Sequence, residues 1–387
     1  MYKILRNILP LEFLLFSGAL RFSESYPRSC MLIFLLTSYW VYKKGKHKNS
    51  INKPIIIFII VWTFYNHLFI NNDINSNFYL VNILYPLGAY FAISSFSLNE
   101  FKQYLLKYLT IISAISIVIH LSHVYLHLPS TLTNIGDKTY GLNGYFFNTD
   151  WGENRLASIY WEPGQYQIII LFTLCLFANE LSDFNKIFEN FKRFGIIIAA
   201  LLLSTSTTGY IAFMVLNLGI ILFSPQNKKY KIIIPLSILT SVFAIYFIWN
   251  SDVVQDKLNQ ANEQNDKTSF AIRYMDNYAL LKIIEDSPIT GVGIETKTFS
   301  NLSYKYGNLT SSNGWLWTGA TNGSVYLLII LLCIFRNLKK MNFKIPIIFI
   351  YLTILISQAN EYGTFYPMLY IYIFQFSNNI KKSDEQN

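Results

Sequence analysis

The chain is dominated by apolar runs that are separated by short polar stretches. Most runs approach the roughly 20 residues that an α-helix needs to cross a bilayer core. The pattern predicts an all-α integral membrane protein with about twelve transmembrane helices, in which residues 1–387 form a single polytopic domain. The predicted spans are residues 8–23, 29–42, 54–71, 78–98, 104–128, 160–179, 193–206, 208–224, 231–250, 315–335, 344–360 and 363–377.

The distribution of charge predicts which loops face the cytoplasm. Charged residues make up 14% of the chain, whereas soluble proteins carry about a quarter. Most of the 31 lysines and arginines lie in clusters between apolar runs, and such clusters mark cytoplasmic loops. The clusters begin at Lys3, Lys43, Lys102, Lys186, Lys228, Arg336 and Lys381. All of them fall on one side if residues 193–224 cross twice, with a break at the Ser/Thr-Gly run 204–209.

This arrangement places both termini in the cytoplasm and leaves two long outer loops. The first outer loop is residues 129–160, and the large outer loop is residues 250–314. The net charge of +9 is explained by the topological clusters, so no nucleic-acid partner is expected. The three cysteines lie inside apolar runs, which predicts packed thiols and no disulfide. His120, His123 and His127 share a helix face, but no acidic partner is near, so we expect no metal site.

Residues 155–164 carry an arginine, a carboxylate and a Pro-Gly pair directly before an apolar run. Charged groups at the mouth of a membrane helix are candidates for a functional site. The guanidinium group of Arg155 could bind a phosphate group, or it could anchor the chain at the membrane interface. Glu162 precedes Pro163, a residue favoured in the first helical turn. Its carboxylate could cap the helix, or it could act as a base.

The large outer loop contains a second candidate segment, a predicted helix over residues 270–288. Its apolar positions recur at helical spacing: Phe270, Tyr274, Leu281 and Ile284. Arg273 and Asn277 fall on or beside that face, one turn apart. The helix could lie on the membrane surface with Arg273 at headgroup height, or it could be a packed lid. Gly291 and Gly293 follow it and would allow a close approach of the backbone to a ligand.

Four stretches, taken in order, resemble the O-antigen polymerase and O-antigen ligase superfamily. They are the arginine and Glu-Pro segment 155–164, the Ser/Thr-Gly break 203–210, the arginine helix and glycine turn 273–299, and the loop exit 311–315. Their order and spacing match that family over residues 155–332, whereas the first 150 residues match in hydropathy alone. One departure is that ligases carry a His-Asn pair at the loop exit, where this chain has Ser312 and Asn313.

The resemblance implies an inverting membrane glycosyltransferase with a GT-C-like architecture. It would join undecaprenyl-diphosphate-linked oligosaccharide units into O-antigen, capsule or exopolysaccharide at the outer face of the bacterial cytoplasmic (inner) membrane. Arg155 and Arg273 would bind the two diphosphates, and Glu162 would accept or orient the acceptor hydroxyl. The remaining predicted substrate-binding residues are Asn277, Gly291, Gly293 and Asn313.

The same resemblance implies no cofactor and no metal, since the leaving group is already activated and arginines can stabilise its charge. Membrane lipid is an expected partner, together with a chain-length regulator and a flippase. Two alternatives remain at this point. The chain could be a ligase that transfers the finished glycan to lipid A, or it could itself be a flippase, which would carry charges along a central cavity.

Overall fold

The computed structural model describes residues 1–18, 27–45, 53–71, 80–135, 138–143, 146–148, 155–160, 162–223, 269–293, 296–307, 313–359 and 367–374. The described part of the chain is mostly helical. Its α-helices are α1 (Tyr2–Leu15), α2 (Pro27–Lys44), α3 (Lys53–Phe64), α4 (Tyr85–Ser94), α5 (Leu98–Leu126), α6 (Pro163–Leu176), α7 (Ala178–Leu181), α8 (Phe184–Glu189), α9 (Phe191–Leu203), α10 (Thr207–Phe223), α11 (Ser269–Asp286), α12 (Lys297–Tyr306), α13 (Gly314–Asn322), α14 (Ser324–Lys340), α15 (Ile347–Ser357) and α16 (Pro367–Ile373). Two π-helical segments, Tyr65–Asn71 and Leu80–Leu84, continue α3 and precede α4.

Most of the predicted spans overlap these helices, but most of the helices are shorter than a full crossing. Among the described helices, α5 with its 29 residues is the one long and apolar enough to cross a membrane alone. Four other segments, which contain α3, α6, α10 and α15, are shorter apolar helices. The predicted span 231–250 and residues 251–268 of the large outer loop lie outside the described residues. The number of twelve spans and the GT-C-like architecture therefore remain predictions.

Ion pairs gather several predicted cytoplasmic segments at one end of the helix bundle. Arg6 Nη2 lies 2.6 Å from Glu100 Oε2, and Lys102 Nζ lies 2.6 Å from Glu180 Oε1. Lys344 Nζ lies 3.9 Å from Asp183 Oδ2. These contacts join the start of α1, the start of α5, the α7–α8 region and the α14–α15 connection. Four of the basic clusters assigned to one side from the sequence thus belong to neighbouring helix ends.

Helices α9 and α10 form a hairpin. The helix ends at Leu203 and restarts at Thr207, which confirms the predicted break. Helix α10 then packs antiparallel to α15. Thr353 Oγ1 donates to the Ala212 carbonyl at 3.3 Å, and Gly219 approaches Phe349 so closely that a Cβ on the glycine would lie 2.6 Å from the Phe349 Cβ. Since α15 leaves the ion-pair end of the bundle, α10 returns to that end, as a double crossing requires.

The apolar run 315–335 is not one continuous helix, so that prediction is wrong. Gly323 divides it into α13 and α14 and has a φ of +88°, a backbone conformation that side chains rarely adopt. Helix α13 bridges the ends of two other helices, since Gly314 N–H donates to the Gln358 carbonyl beyond α15 and Trp62 Nε1 on α3 donates to the Asn322 carbonyl. Helix α13 therefore lies across the end of the bundle opposite the ion pairs, the end predicted to face outward.

Helix α11 packs beside α13 in a second hydrophobic core. Leu280 and Ile283 of α11 meet Ala320 of α13 there, together with Val292 and Phe299. Tyr274 and Leu281, half of the apolar face predicted from periodicity, are exposed instead, while Phe270 has no described side chain. The helix is apolar on two faces, so the spacing of one set of residues did not identify the face that packs on the protein.

The first outer loop contains a four-stranded antiparallel sheet that the apolar pattern did not predict. Its strands are β1 (Thr131–Ile135), β2 (Lys138–Asn143), β3 (Phe146–Asn148) and β4 (Leu156–Ser158), paired in chain order. The register pairs Thr131 with Leu142, and the β3–β4 pairing is irregular between Phe147 and Asn148. The last strand delivers the chain from Arg155 to the start of α6.

Candidate functional site

Arg155 lies against the break between α9 and α10. Its Nε donates to Thr205 Oγ1 at 3.0 Å and to the Ser204 carbonyl at 3.4 Å, and its Nη2 donates to the Thr205 carbonyl at 3.4 Å. Ser204 is the C-cap of α9, where helix carbonyls lack partners within the helix. The structure therefore brings together two of the motifs found in the sequence, the arginine segment and the Ser/Thr-Gly break.

The backbone has unusual conformations on both sides of this contact, at Thr205 and near Arg155 at Ser158. Thr205 has a φ of +44°, which costs a β-branched residue about 1 kcal/mol or more. Ser158, just after Arg155, has a φ of +63°, and its hydroxyl lies 2.6 Å from the Ser116 hydroxyl of α5. Strand β4 is buried against α5 by this contact, so Arg155 extends from a fixed strand.

Glu162 occupies the N-cap position of α6, as predicted, but its side chain makes no capping hydrogen bond. The backbone carbonyl of Glu162 accepts hydrogen bonds at the helix start instead, from the N–H groups of Gln165 and Tyr166. Pro163 fills the first helical position. The carboxylate thus lies at the positive end of the α6 dipole, and it does not satisfy the helix terminus.

Glutamine side chains beside this site were missed by the sequence analysis. Gln167 Nε2 donates to the Ser357 carbonyl at 2.9 Å, while its buried Oε1 has no hydrogen-bond partner among the described residues. The same residues offer no partner to either amide atom of the fully buried Gln358. The absence of a side chain at Gly209 allows Gln167 to pack against α10, because a Cβ at residue 209 would lie 3.0 Å from Gln167. Buried amides without partners are costly, and neither residue differs in sequence from an ordinary core glutamine.

Arg273 and Asn277 lie along one edge of α11, between its packed and exposed faces. Both are half-buried. Within the described part of the chain, Asn277 Oδ1 is buried without a hydrogen-bond partner. Asp276, which the sequence analysis did not single out, is buried on the packed face.

Asn313 and the two glycines have structural roles in this conformation. Asn313 Oδ1 caps α13 by accepting from the Trp315 and Leu316 N–H groups at 3.1 Å. Gly291 and Gly293 have φ values of +69° and +75°. Gly291 N–H donates to Ser287, and Gly293 N–H donates to the Thr321 carbonyl at 2.8 Å. These amides are therefore engaged by the protein, and the predicted role of both glycines in ligand binding remains untested.

The two arginines belong to the same end of the bundle, although no contact joins them. The C-terminal ends of α11 and α13 meet where Val292 N–H donates to the Ala320 carbonyl. Helix α11 packs on α13 through Leu280 and Ile283, so the helix that carries Arg273 contacts the helix that Asn313 caps. Gly314 then contacts Gln358, whose neighbour Ser357 binds Gln167 of α6. A chain of contacts therefore runs from α11 to the helix that Glu162 begins.

Among the described residues, no group of three side chains could hold a metal ion. His123 Nδ1 lies 3.0 Å from the Leu128 carbonyl, and His127 is the left-handed C-cap of α5. Two of the three histidines at the end of α5 thus take part in ending that helix.

No curated protein matches this chain significantly. A family model described as O-antigen ligase matches residues 194–331, which is less than half of the chain. The match contains the Ser204–Thr205 break, Arg273, Asn277, both glycines and Asn313, whereas Arg155 and Glu162 precede it. Residues 194–331 are thus similar to the O-antigen ligase family, which supports the resemblance to the O-antigen polymerase and ligase superfamily seen in the sequence.

Proposed function

We propose that this protein polymerises undecaprenyl-diphosphate-linked oligosaccharide units at the outer face of the cytoplasmic membrane. The observation that carries the proposal is the attachment of Arg155 to the Ser204–Thr205 break. It joins a permanent cation from outside the family match to the helix break inside the match. Glu162 follows Arg155 by seven residues, at the N-cap of α6. A cation and a carboxylate in one segment fit a reaction that releases a diphosphate and removes a hydroxyl proton.

The reaction proceeds by inverting glycosyl transfer. A hydroxyl oxygen of the acceptor sugar attacks the anomeric carbon of the donor and forms the new glycosidic bond. The bond from that carbon to the diphosphate oxygen breaks on the opposite side, and undecaprenyl diphosphate leaves. The hydroxyl proton passes to Glu162, and Arg155 and Arg273 stabilise the charge on the two diphosphates. Asn277 and the amides of Gln167 and Gln358 supply hydrogen-bonding groups nearby.

Polymerisation is favoured over ligation by the loop exit. Ligases of the superfamily carry a His-Asn pair there, and this chain has Ser312 and Asn313. Ser312 lies outside the described residues, while Asn313 caps α13. Without that histidine, Glu162 is the titratable group proposed to accept the proton.

A flippase is the second candidate, and one side chain favours it. The carboxyl group of Glu12 lies on α1 within the first predicted span, and its buried Oε2 finds no hydrogen-bond partner in the part of the chain that the structure describes. Carboxyl groups inside membrane spans are often found on transport pathways. The large outer layer built from α11, α12 and α13 has no evident use in a flippase, so we rank this function second.

The test uses purified protein in detergent with a lipid-diphosphate oligosaccharide as the sole substrate. A polymerase yields a ladder of longer glycans from this substrate alone. A ligase yields transfer products after a second acceptor, such as lipid A, is added, and a flippase leaves the substrate chemically unchanged. Either of the last two results would overturn the proposal.

The variants Arg155→Ala and Arg273→Ala link the ladder to the site, and both should abolish it. Matched controls are Arg193→Ala, an exposed arginine at the other end of α9, and Lys282→Ala, an exposed cation on α11. Both controls should retain the ladder. A full ladder from both site variants would remove these arginines from the mechanism.

A further inference from the structure

Helix α11 carries a row of apolar side chains on the face that points away from the protein. Tyr274 is 64% exposed, Tyr278 46% and Leu281 47%. At about 100° per residue, these three side chains fall within about 60° of one another. We call this row, Tyr274, Tyr278 and Leu281, the tyrosine face.

The tyrosine face is opposite the face that packs on the protein. The packed face is formed by Ala279, Leu280 and Ile283, all fully buried. Arg273 and Asn277 lie on the edge between the two faces. Helix α11 is therefore fixed in rotation by its core contacts, and the exposure of its tyrosines follows from that rotation.

The position of α13 sets the height of α11 relative to the membrane. Helix α13 runs from the outer end of α15, at Gln358, to the outer end of α3, at Trp62. A helix that joins two span ends lies flat across the end of the bundle. Helix α11 packs on α13 through Leu280 and Ile283, so its C-terminal half is held at this end of the bundle, at the level expected for the bilayer headgroups.

The side chains of the tyrosine face are of the kind found at the headgroup level of a bilayer. Tyrosine is enriched at membrane–water interfaces because its ring is apolar and its hydroxyl is polar. Lys282 Nζ lies 5.8 Å from the centroid of the Tyr278 ring, and a lysine beside the ring can reach anionic headgroups. By contrast, the exposed residues of α12 include polar Thr298, Ser300 and Asn301.

We propose that the tyrosine face inserts into the outer leaflet of the lipid bilayer at the interface, with Arg273 at the level of the lipid phosphates. A contiguous apolar face is unfavourable in water and indicates a contact surface. The packing of α11 on a helix that joins two span ends, and the exposure of its two tyrosines, favour lipid as the occupant. This inference needs the protein to reside in a membrane, as its family does, and it does not depend on the proposed reaction.

The test measures membrane depth with nitroxide labels. Leu281→Cys and Tyr278→Cys are introduced into a Cys30→Ser, Cys333→Ser background, in which the fully buried Cys175 is kept. Ser300→Cys on α12 is the matched control. In liposomes of phosphatidylethanolamine and phosphatidylglycerol, labels at residues 278 and 281 should collide more with oxygen than with a water-soluble nickel chelate. The label at residue 300 should show the reverse.

Two results would overturn the proposal. Labels at residues 278 and 281 that collide with the nickel chelate as readily as the label at residue 300 would place the face in water. Labels protected from both reagents would show that protein covers the face, either a second copy or another segment of the chain. The background without an added cysteine must take up no label, and each variant must elute as one species of the parent's size.

Discussion

Arg155 makes contacts that depend on the planar fork of its guanidinium group. Its Nε and Nη2 atoms reach carbonyls of two successive residues, Ser204 and Thr205. A lysine keeps the charge but cannot reproduce this two-point contact.

We expect Arg155→Lys to lower the rate of chain extension about 100-fold, because a charged group that is only slightly misplaced loses that much. The free energy of unfolding should fall by about 1–3 kcal/mol, since carbonyls at the break lose donors. Ladder formation and thermal unfolding in detergent measure the two effects. Wild-type rates in the lysine variant would show that charge alone is sufficient.

A substitution at Glu162 distinguishes the two roles that its position permits, general base and helix cap. The Glu162→Gln variant keeps the size of the side chain and removes its basicity. We expect a rate loss of about 100- to 10,000-fold, as for a lost general base. The substitution should remove no helix cap, because the side chain makes no capping hydrogen bond, so thermal stability should not fall by the amount that a lost cap costs. A drop of about 1 kcal/mol with normal activity would indicate a cap instead.

The sequence analysis identified the charged residues of the candidate site but missed its glutamines. Arg155 and Arg273 stand out in a chain that is 14% charged. Gln167 and Gln358 do not, because their significance lies in burial without partners, and burial depends on tertiary packing. For the same reason the sequence could not distinguish binding glycines from the packed Gly291 and Gly293.

At the scale of elements, Gly323 decides where α13 ends and α14 begins. A Cβ at this position would lie 2.0 Å from the Ile289 carbonyl oxygen, and its φ is +88°. We expect Gly323→Ala to destabilise the protein by more than about 2 kcal/mol, the combined effect of strain and overlap.

Gly195→Ala is the matched control for that variant. Nothing lies within 4 Å of a Cβ at Gly195, in the interior of α9. Alanine there should raise stability by about 0.5–1 kcal/mol through helix propensity. Thermal unfolding of both variants in the same detergent gives the comparison. Equal melting temperatures would show that the α13–α14 break tolerates a side chain.

The two helix breaks show what the apolar pattern can and cannot predict. The break at residues 204–206 was predicted because a run of hydroxyl residues interrupts the hydrophobic stretch. The break at Gly323 was missed because apolar residues continue on both sides of it. The sheet of residues 131–158 was missed because its strands mix threonine, asparagine, glycine and tyrosine, without clear alternation.

At the scale of the whole molecule, contacts sort the helix ends into two groups. Arg6, Lys102 and Lys344 pair with carboxylates at one end, and Arg155 binds the hairpin turn at the other. The charge clusters in the sequence predicted this division, because positive charge distribution reflects membrane topology.

Single cysteines test that division in intact cells. Lys186→Cys on α8 should resist a membrane-impermeant maleimide until the cells are permeabilised. Ser300→Cys on α12 should react at once. Both positions are exposed, so a difference in labelling reports sidedness. Equal labelling in intact cells would contradict the proposed orientation.

The contact between Arg155 and the α9–α10 turn links ligand occupancy to local order. The guanidinium group completes the C-terminal end of α9, where the helix dipole is negative. An incoming phosphate oxygen must compete with those carbonyls for the same donors. If it prevails, the last turn of α9 loses its external partner and frays, so amide deuterium uptake around Thr205 would rise as the anion binds.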